Sequence, residues 1–142
     1  MDEPELLFLH ALPLDGSMWD AQRAGLPFAS LAPTLYGLGE TLTEWAEAAL
    51  SLTQKRSLVL VGCSVGGSCA LEVAHLAPER VTGIVLIGTK ANHRADPLFQ
   101  AEAVRLIREE GRDAAWRRYW LPLFAASSPQ VVTDVAYDMM ML

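Results

Sequence analysis

Basic residues are scarce in this sequence. Eleven Lys and Arg stand against 17 Asp and Glu, which leaves a formal net charge of -6 over 142 residues. That deficit excludes the electropositive footprint a nucleic-acid partner needs. Long apolar runs are missing too. A spanning helix needs roughly 18 consecutive apolar residues, and the longest candidate, Leu58 to Leu71, is interrupted by Gly62, Ser64, Gly66, Gly67 and Ser68. No membrane partner is expected. With two cysteines, Cys63 and Cys69, there is no disulfide framework. The three histidines, His10, His75 and His93, form no cluster with metal-ligand spacing, and no Gly-rich phosphate loop is present, so no metal and no cofactor are expected. The start, Met1-Asp2-Glu3-Pro4-Glu5, is acidic where a secretory signal is basic. Hydrophobic residues, by contrast, are abundant at 51%, which excludes a disordered chain. The expectation is a soluble, reduced, cytoplasmic protein of at most one ordinary domain's length.

Strands and helices alternate over the first part. Leu6-Leu7-Phe8-Leu9 reads as a buried strand, followed by a loop from His10 to Gly16. Ser17 is a candidate N-cap for a helix to about Leu26. Leu31-Ala32-Pro33 is a weak strand, and Thr41 or Thr43 can cap a helix carrying Leu42, Trp45, Ala49 and Leu52 on one stripe. Ser57 to Val61 and Val81 to Ile87 are strongly apolar strands, with a helix from Val65 to Ala77 between them that Pro78 stops. Strands apolar on both faces, separated by helices, predict a parallel sheet covered on both sides. Residues 97–142 contain no convincing strand. Phe99, Ala103, Leu106 and Ile107 form one helical stripe, and Trp116, Tyr119, Trp120, Leu123 and Phe124 a second. A third helix is expected over Val131 to Leu142.

One motif carries chemistry. Gly62-Cys63-Ser64-Val65-Gly66 matches G-x-S-x-G, directly after a strong strand and directly before a helix. That context suits a nucleophile elbow, a turn so tight that glycines two residues either side of the serine are needed to avoid clashes. Ser64 then projects from the strand end toward the positive end of the helix dipole. The amide of Val65 points at the same place and is a candidate oxyanion donor. A second donor is expected from the loop after an adjacent strand, and Leu9-His10-Ala11-Leu12-Pro13-Leu14-Asp15-Gly16-Ser17-Met18-Trp19 fits that place. Without catalysis, the same motif is a glycine-rich turn whose serine caps a helix.

These residues resemble the α/β-hydrolase fold family, in its esterase and lactonase branch. The loop after the first strand is similar to the family's His-Gly-hydrophobic-Pro stretch, with Ala11 in place of Gly. Pro33-Thr34-Leu35-Tyr36-Gly37-Leu38-Gly39 resembles its Pro-Asp-x-x-Gly-x-Gly loop, and Pro78-Glu79-Arg80-Val81 and Leu86-Ile87-Gly88-Thr89 follow its pattern. The resemblance implies an α/β fold: a parallel sheet of about four strands with flanking helices over residues 1–96, then a lid-like helical segment over 97–142, with the family's C-terminal strands absent. It also implies Ser64 as nucleophile, the amides of Leu12 and Val65 as oxyanion hole, and a small-molecule acyl substrate: a carboxylic ester, thioester or lactone.

The general base is the open question, because the family's acid and histidine normally follow later strands. His75 lies eleven residues beyond Ser64 on one helix, about 16 Å away at 1.5 Å per residue, and is out of reach. His10 ends the first strand, where the resemblance gives it a structural role in holding the oxyanion loop. His93 follows the last strand, in a loop that can approach Ser64 because parallel strands end at one edge about 4.8 Å apart. Asp96, three residues on, could orient its imidazole, or the segment is an ordinary hinge loop. Two expectations follow: a serine hydrolase acting through an acyl-enzyme on Ser64, or a catalytically impaired, shortened relative, inert or active only when completed by another chain. The edge of strand 82–88 lacks a neighbour, which predicts a homodimer through it or a poorly soluble product.

Overall fold

The computed structural model describes residues 3–92 and 94–142. They divide into two compact units, Met1–Ala91 and Asn92–Leu142. Of the loop after Ile87, residues 88–91 go with the first unit, and residues 92 and 94–96 with the second.

The first unit is built on four parallel strands: β1 (Glu5–Leu9), β2 (Ser30–Leu31), β3 (Leu58–Cys63) and β4 (Val81–Ile87), in the order β2-β1-β3-β4. Between them lie α1 (Asp20–Ala24), α2 (Leu42–Ser51) and α3 (Val65–Leu76). The short β2 is all that the Leu31-Ala32-Pro33 stretch contributes, since Pro33 has no N–H to donate to a ladder. The first helix starts differently from the sequence expectation. Asp15, not Ser17, is the cap: its Oδ1 accepts from the Ser17 amide at 2.8 Å, and a 3-10 turn over Gly16–Trp19 precedes α1. A carboxylate two residues before an amide makes that turn readily, and Ser17 becomes a donor to it. At α2 the cap is Thr41. Its hydroxyl accepts from the Glu44 amide, and the Glu44 carboxylate accepts from the amides of Glu40 and Thr41, completing a capping box. Those amides hold the Glu44 carboxyl below its usual range.

The sheet has two unequal faces. On one, Leu7, Leu9, Leu58 and Leu60 pack against Ala46 and Ala49 of α2, Cys69, Ala70 and Val73 of α3, and Leu35, all fully buried. On the other, Leu6 and Phe8 pack on Trp19, with Val59, Val61 and Cys63 only half-buried. The Phe8 and Trp19 rings lie 5.1 Å apart. Here the structure corrects the expectation of uniformly buried strands. Ile84, Val85, Leu86 and Ile87 are 39–47% exposed. β4 is the end strand of the sheet, so its apolar sequence records a demand for cover that its position in this unit does not meet.

In the second unit, α4 (Pro97–Glu110) begins at Asp96, whose Oδ1 accepts from the Phe99 amide at 3.0 Å, and stops at Gly111 with φ 88°. Next come α5 (Arg112–Ala115) and α6 (Gln130–Met141). The expected helical stripe from Trp116 to Phe124 is corrected. Residues Trp116–Trp120 form a π-helical turn in which the Leu121 amide donates to the Trp116 carbonyl, and a 3-10 turn over Leu121–Leu123 follows. Pro122 cannot donate, so the α ladder cannot continue, and the periodicity is lost. Trp116 is buried against Phe124 and Tyr137, whereas Leu123 is 78% exposed. Asp113 accepts from the Tyr137 hydroxyl, and Arg112 donates to the Met140 carbonyl, tying α5 to α6. Among the described residues no helix is long and apolar enough to cross a membrane.

Candidate active site

Ser64 stands between the last residue of β3 and the first of α3, with φ 53° and ψ −118°, the one positive φ on a non-glycine residue among those described. A serine adopts such backbone only where its surroundings impose it. Three constraints act here. The Ser64 amide donates to the Ile87 carbonyl at 2.9 Å, extending the β3–β4 ladder by one bond. The Ser64 carbonyl accepts from the amides of Gly67 (3.0 Å) and Ser68 (3.2 Å) and from the Thr89 hydroxyl (3.0 Å). The flanking glycines let the chain close. A Cβ at Gly62 would press on the backbone of Gly66 and Gly67, one at Gly66 on the carbonyls of Leu9 and His10, and one at Gly67 on the Thr89 hydroxyl. The Ser64 side chain is left exposed at the N-terminus of a twelve-residue helix. There the dipole favours negative charge.

The contact of Gly66 with the Leu9 and His10 carbonyls brings the β1–α1 loop alongside the elbow. In that loop the Leu14 amide donates to the Ala11 carbonyl at 2.9 Å, enclosing Leu12 and a cis Leu12–Pro13 peptide. Leu12 is exposed, and among the described residues neither its amide nor that of Val65 has a protein acceptor. Both are donors still available to a ligand.

His10 is fully buried and has no proton-accepting capacity to spare. Its Nε2 accepts from the Leu35 amide at 2.9 Å, so the proton sits on Nδ1, which lies 3.0 Å from the Ala11 carbonyl and donates to it. Desolvation on burial lowers its pKa below 6.5, against smaller opposing effects of the Ala11 hydrogen bond and the Asp15 charge. Its role is structural. His75 is exposed on α3. His93 lies outside the described residues, and the Asp96 carboxylate is engaged in capping α4. Cys63 is half-buried on the Val61 side of the sheet, its thiol pKa pushed up by burial, and Cys69 is pushed to about 12, so neither offers a thiolate.

Three contributors escape a reading of the sequence. Thr89 supports the Ser64 carbonyl, and Tyr36 and the Leu35 amide hold the loop that carries Leu12. Thr89 falls inside a recognised pattern without a role being evident. Its link to Ser64 arises from the adjacency of β3 and β4, which sequence spacing does not display.

The pattern of the family described as the Alpha/beta hydrolase family matches residues 6–140. The chain is 37% identical over 147 aligned residues to a pimeloyl-[acyl-carrier protein] methyl ester esterase of Aromatoleum aromaticum, an alignment covering 97% of this chain and 52% of that relative. Among solved structures, the esterase EaEST of Exiguobacterium antarcticum matches with a TM-score of 0.81 at 17% identity, over 99% of this chain and 61% of that one. A thermophilic esterase of Thermogutta terrifontis matches with a TM-score of 0.71 at 26% identity, over 97% and 58%. The chain thus spans about half the length of the curated relative it matches. With a strained serine between a parallel strand and a helix, and a family pattern that runs through nearly all of its residues, this chain belongs to the alpha/beta hydrolase family.

Proposed function

We propose that Ser64 is the nucleophile of a serine esterase. The observation that carries this reading is its backbone: a non-glycine residue held at φ 53° with its hydroxyl exposed, beside two amides without protein acceptors. Ser64 Oγ would attack the carbonyl carbon of an ester, thioester or lactone as its proton passes to a base. The carbonyl π electrons move onto oxygen, where the Leu12 and Val65 amides would donate to the oxyanion. Collapse expels the alcohol or thiol, which takes up the proton, and water then attacks the acyl-enzyme to release the acid and regenerate Ser64. Each donor would contribute about 2.7–4 kcal/mol of transition-state stabilisation.

The base is not His10, whose two nitrogens are committed to Leu35 and Ala11. We assign it to His93, with Asp96 giving up its helix cap to orient the ring, or to a histidine outside these residues. The relative's name makes the methyl ester of an acyl chain the first substrate to test. The unpaired thiols of Cys63 and Cys69 suit a reducing compartment, and on that ground we place the protein in the cytoplasm. A p-nitrophenyl acyl ester should give a burst of p-nitrophenol stoichiometric with protein and an intact mass raised by the acyl group. Both should vanish in Ser64→Ala. A burst that survives that substitution would refute the assignment.

The exposed apolar run of β4 favours a second reading, a chain that works only when a second copy covers that strand. Light scattering should then report a dimer, and Val85→Lys should dissociate it. A monomer at every concentration would remove this reading.

A further inference from the structure

The loop that carries Leu12 is held from outside itself. Three of its anchors come from the segment just after β2. The Leu35 amide donates to His10 Nε2 at 2.9 Å, the Thr34 hydroxyl accepts from the Gly16 amide at 3.2 Å, and the Tyr36 hydroxyl donates to the Leu14 carbonyl at 2.5 Å. The Tyr36 ring also lies 4.8 Å from the His10 ring and edge-on to Trp45 at 6.4 Å. Trp45 is itself fixed, donating from Nε1 to the Gly39 carbonyl at 2.8 Å. Burial, and then the charge of Asp15, push the Tyr36 phenol up to about 12, so it remains a donor at any physiological pH.

The three anchors are not equivalent. His10 and Thr34 fix the ends of the loop, residues 10 and 16. In its interior Met18 Sδ accepts from the Ala11 amide at 3.4 Å, and Tyr36 holds Leu14, the residue whose amide closes the turn around Leu12 by donating to Ala11. A side chain that holds the Leu14 carbonyl therefore sets the orientation of the peptide units on either side of Leu12. Oxyanion donors act only when aimed in advance, within a few tenths of an ångström of where charge develops.

We propose that Tyr36 is a positioning residue for the reaction, acting through Leu14 to aim the Leu12 amide at the oxyanion. This rests on the assignment of Ser64 as nucleophile and Leu12 as donor. The test compares Tyr36→Phe, which keeps the ring on His10, with Tyr36→Ala, which removes it. Two measurements are made: the kinetics of phosphonylation by a fluorophosphonate, split into a binding constant and a maximal rate, and hydrogen exchange at Leu14. Tyr36→Phe should lower the maximal rate about tenfold with the binding constant unchanged, short of the roughly hundredfold or greater cost of losing a donor outright. Exchange at Leu14 should quicken about fivefold, the equivalent of one hydrogen bond of about 1 kcal/mol, while exchange in β3 stays the same. An unchanged maximal rate with normal Leu14 exchange in Tyr36→Phe would overturn the proposal. So would a weakened binding constant at constant maximal rate, which would make Tyr36 a wall of the substrate site. If the unsubstituted chain is not phosphonylated at all, the Ser64 reading and the catalytic role of Tyr36 fall together. Leu14 exchange then decides separately whether Tyr36 holds the loop.

Discussion

His10 shows how one buried side chain can fix a site without entering its chemistry. Burial disfavours the imidazolium, and the Leu35 amide occupies the nitrogen that a second proton would need. Its pKa is therefore lower in the folded chain than in the unfolded one, near 6.5. Between the folded value and 6.5 the unfolded chain binds more protons, so the His10 contribution to stability is complete above 6.5 and is lost as the pH falls below it. Urea midpoints measured from pH 7.5 to 5 should decline through that window. In His10→Gln the decline should be shallower, on a lower baseline because the Leu35 amide loses its acceptor. An equal slope in both proteins would assign the pH dependence to other groups. Gly66 makes the complementary point by what it omits. A methyl there would meet the Leu9 and His10 carbonyls, so Gly66→Ala should cost roughly 1–3 kcal/mol by urea denaturation and displace the β1–α1 loop. A neutral substitution would mean that the elbow and loop are not in contact.

At the scale of elements, α2 begins where its capping box dictates. Thr41→Ala should lower stability by about 1 kcal/mol in denaturant titration, while Thr43→Ala, whose hydroxyl instead donates to Glu72, should cost less. That box was legible as a choice between two threonines, and the Glu44 carboxylate resolves it. The sequence was most informative where local rules and the fold agree. β3, α3 and β4 fall within two residues of their expected bounds, and the elbow was readable from its glycine spacing set directly between a strand and a helix. It was least informative where a competing interaction intervenes. Asp15 displaces Ser17 as a cap because a carboxylate accepts the amide that a hydroxyl further on cannot reach. Pro122 turns an apparently continuous aromatic stripe into π and 3-10 turns. The exposure of β4 was hidden because an apolar run reports a preference for burial, not its fulfilment. Tyr36 and Thr89 fall inside recognised patterns that gave no hint of their roles, since each acts through a contact between segments that only the parallel order of the strands brings together.

At the scale of the whole molecule, the two units are held by different means. The first rests on one well-packed sheet face, and truncating its centre, as in Leu60→Ala, should cost about 2–5 kcal/mol and abolish cooperative unfolding of that unit. The second rests on aromatic contacts around Trp116 and on the ties from α5 to α6. Both lie within one family pattern, and the chain spans about half of the relative it matches, so the open chemical issue is whether a base reaches Ser64. The most direct measurement is intact mass after treatment with a fluorophosphonate, with the modified peptide mapped and Ser64→Ala run in parallel. A single adduct on Ser64, absent from the variant, is expected if this serine is an activated nucleophile. A folded protein that stays unmodified would contradict it and leave the elbow as architecture without chemistry.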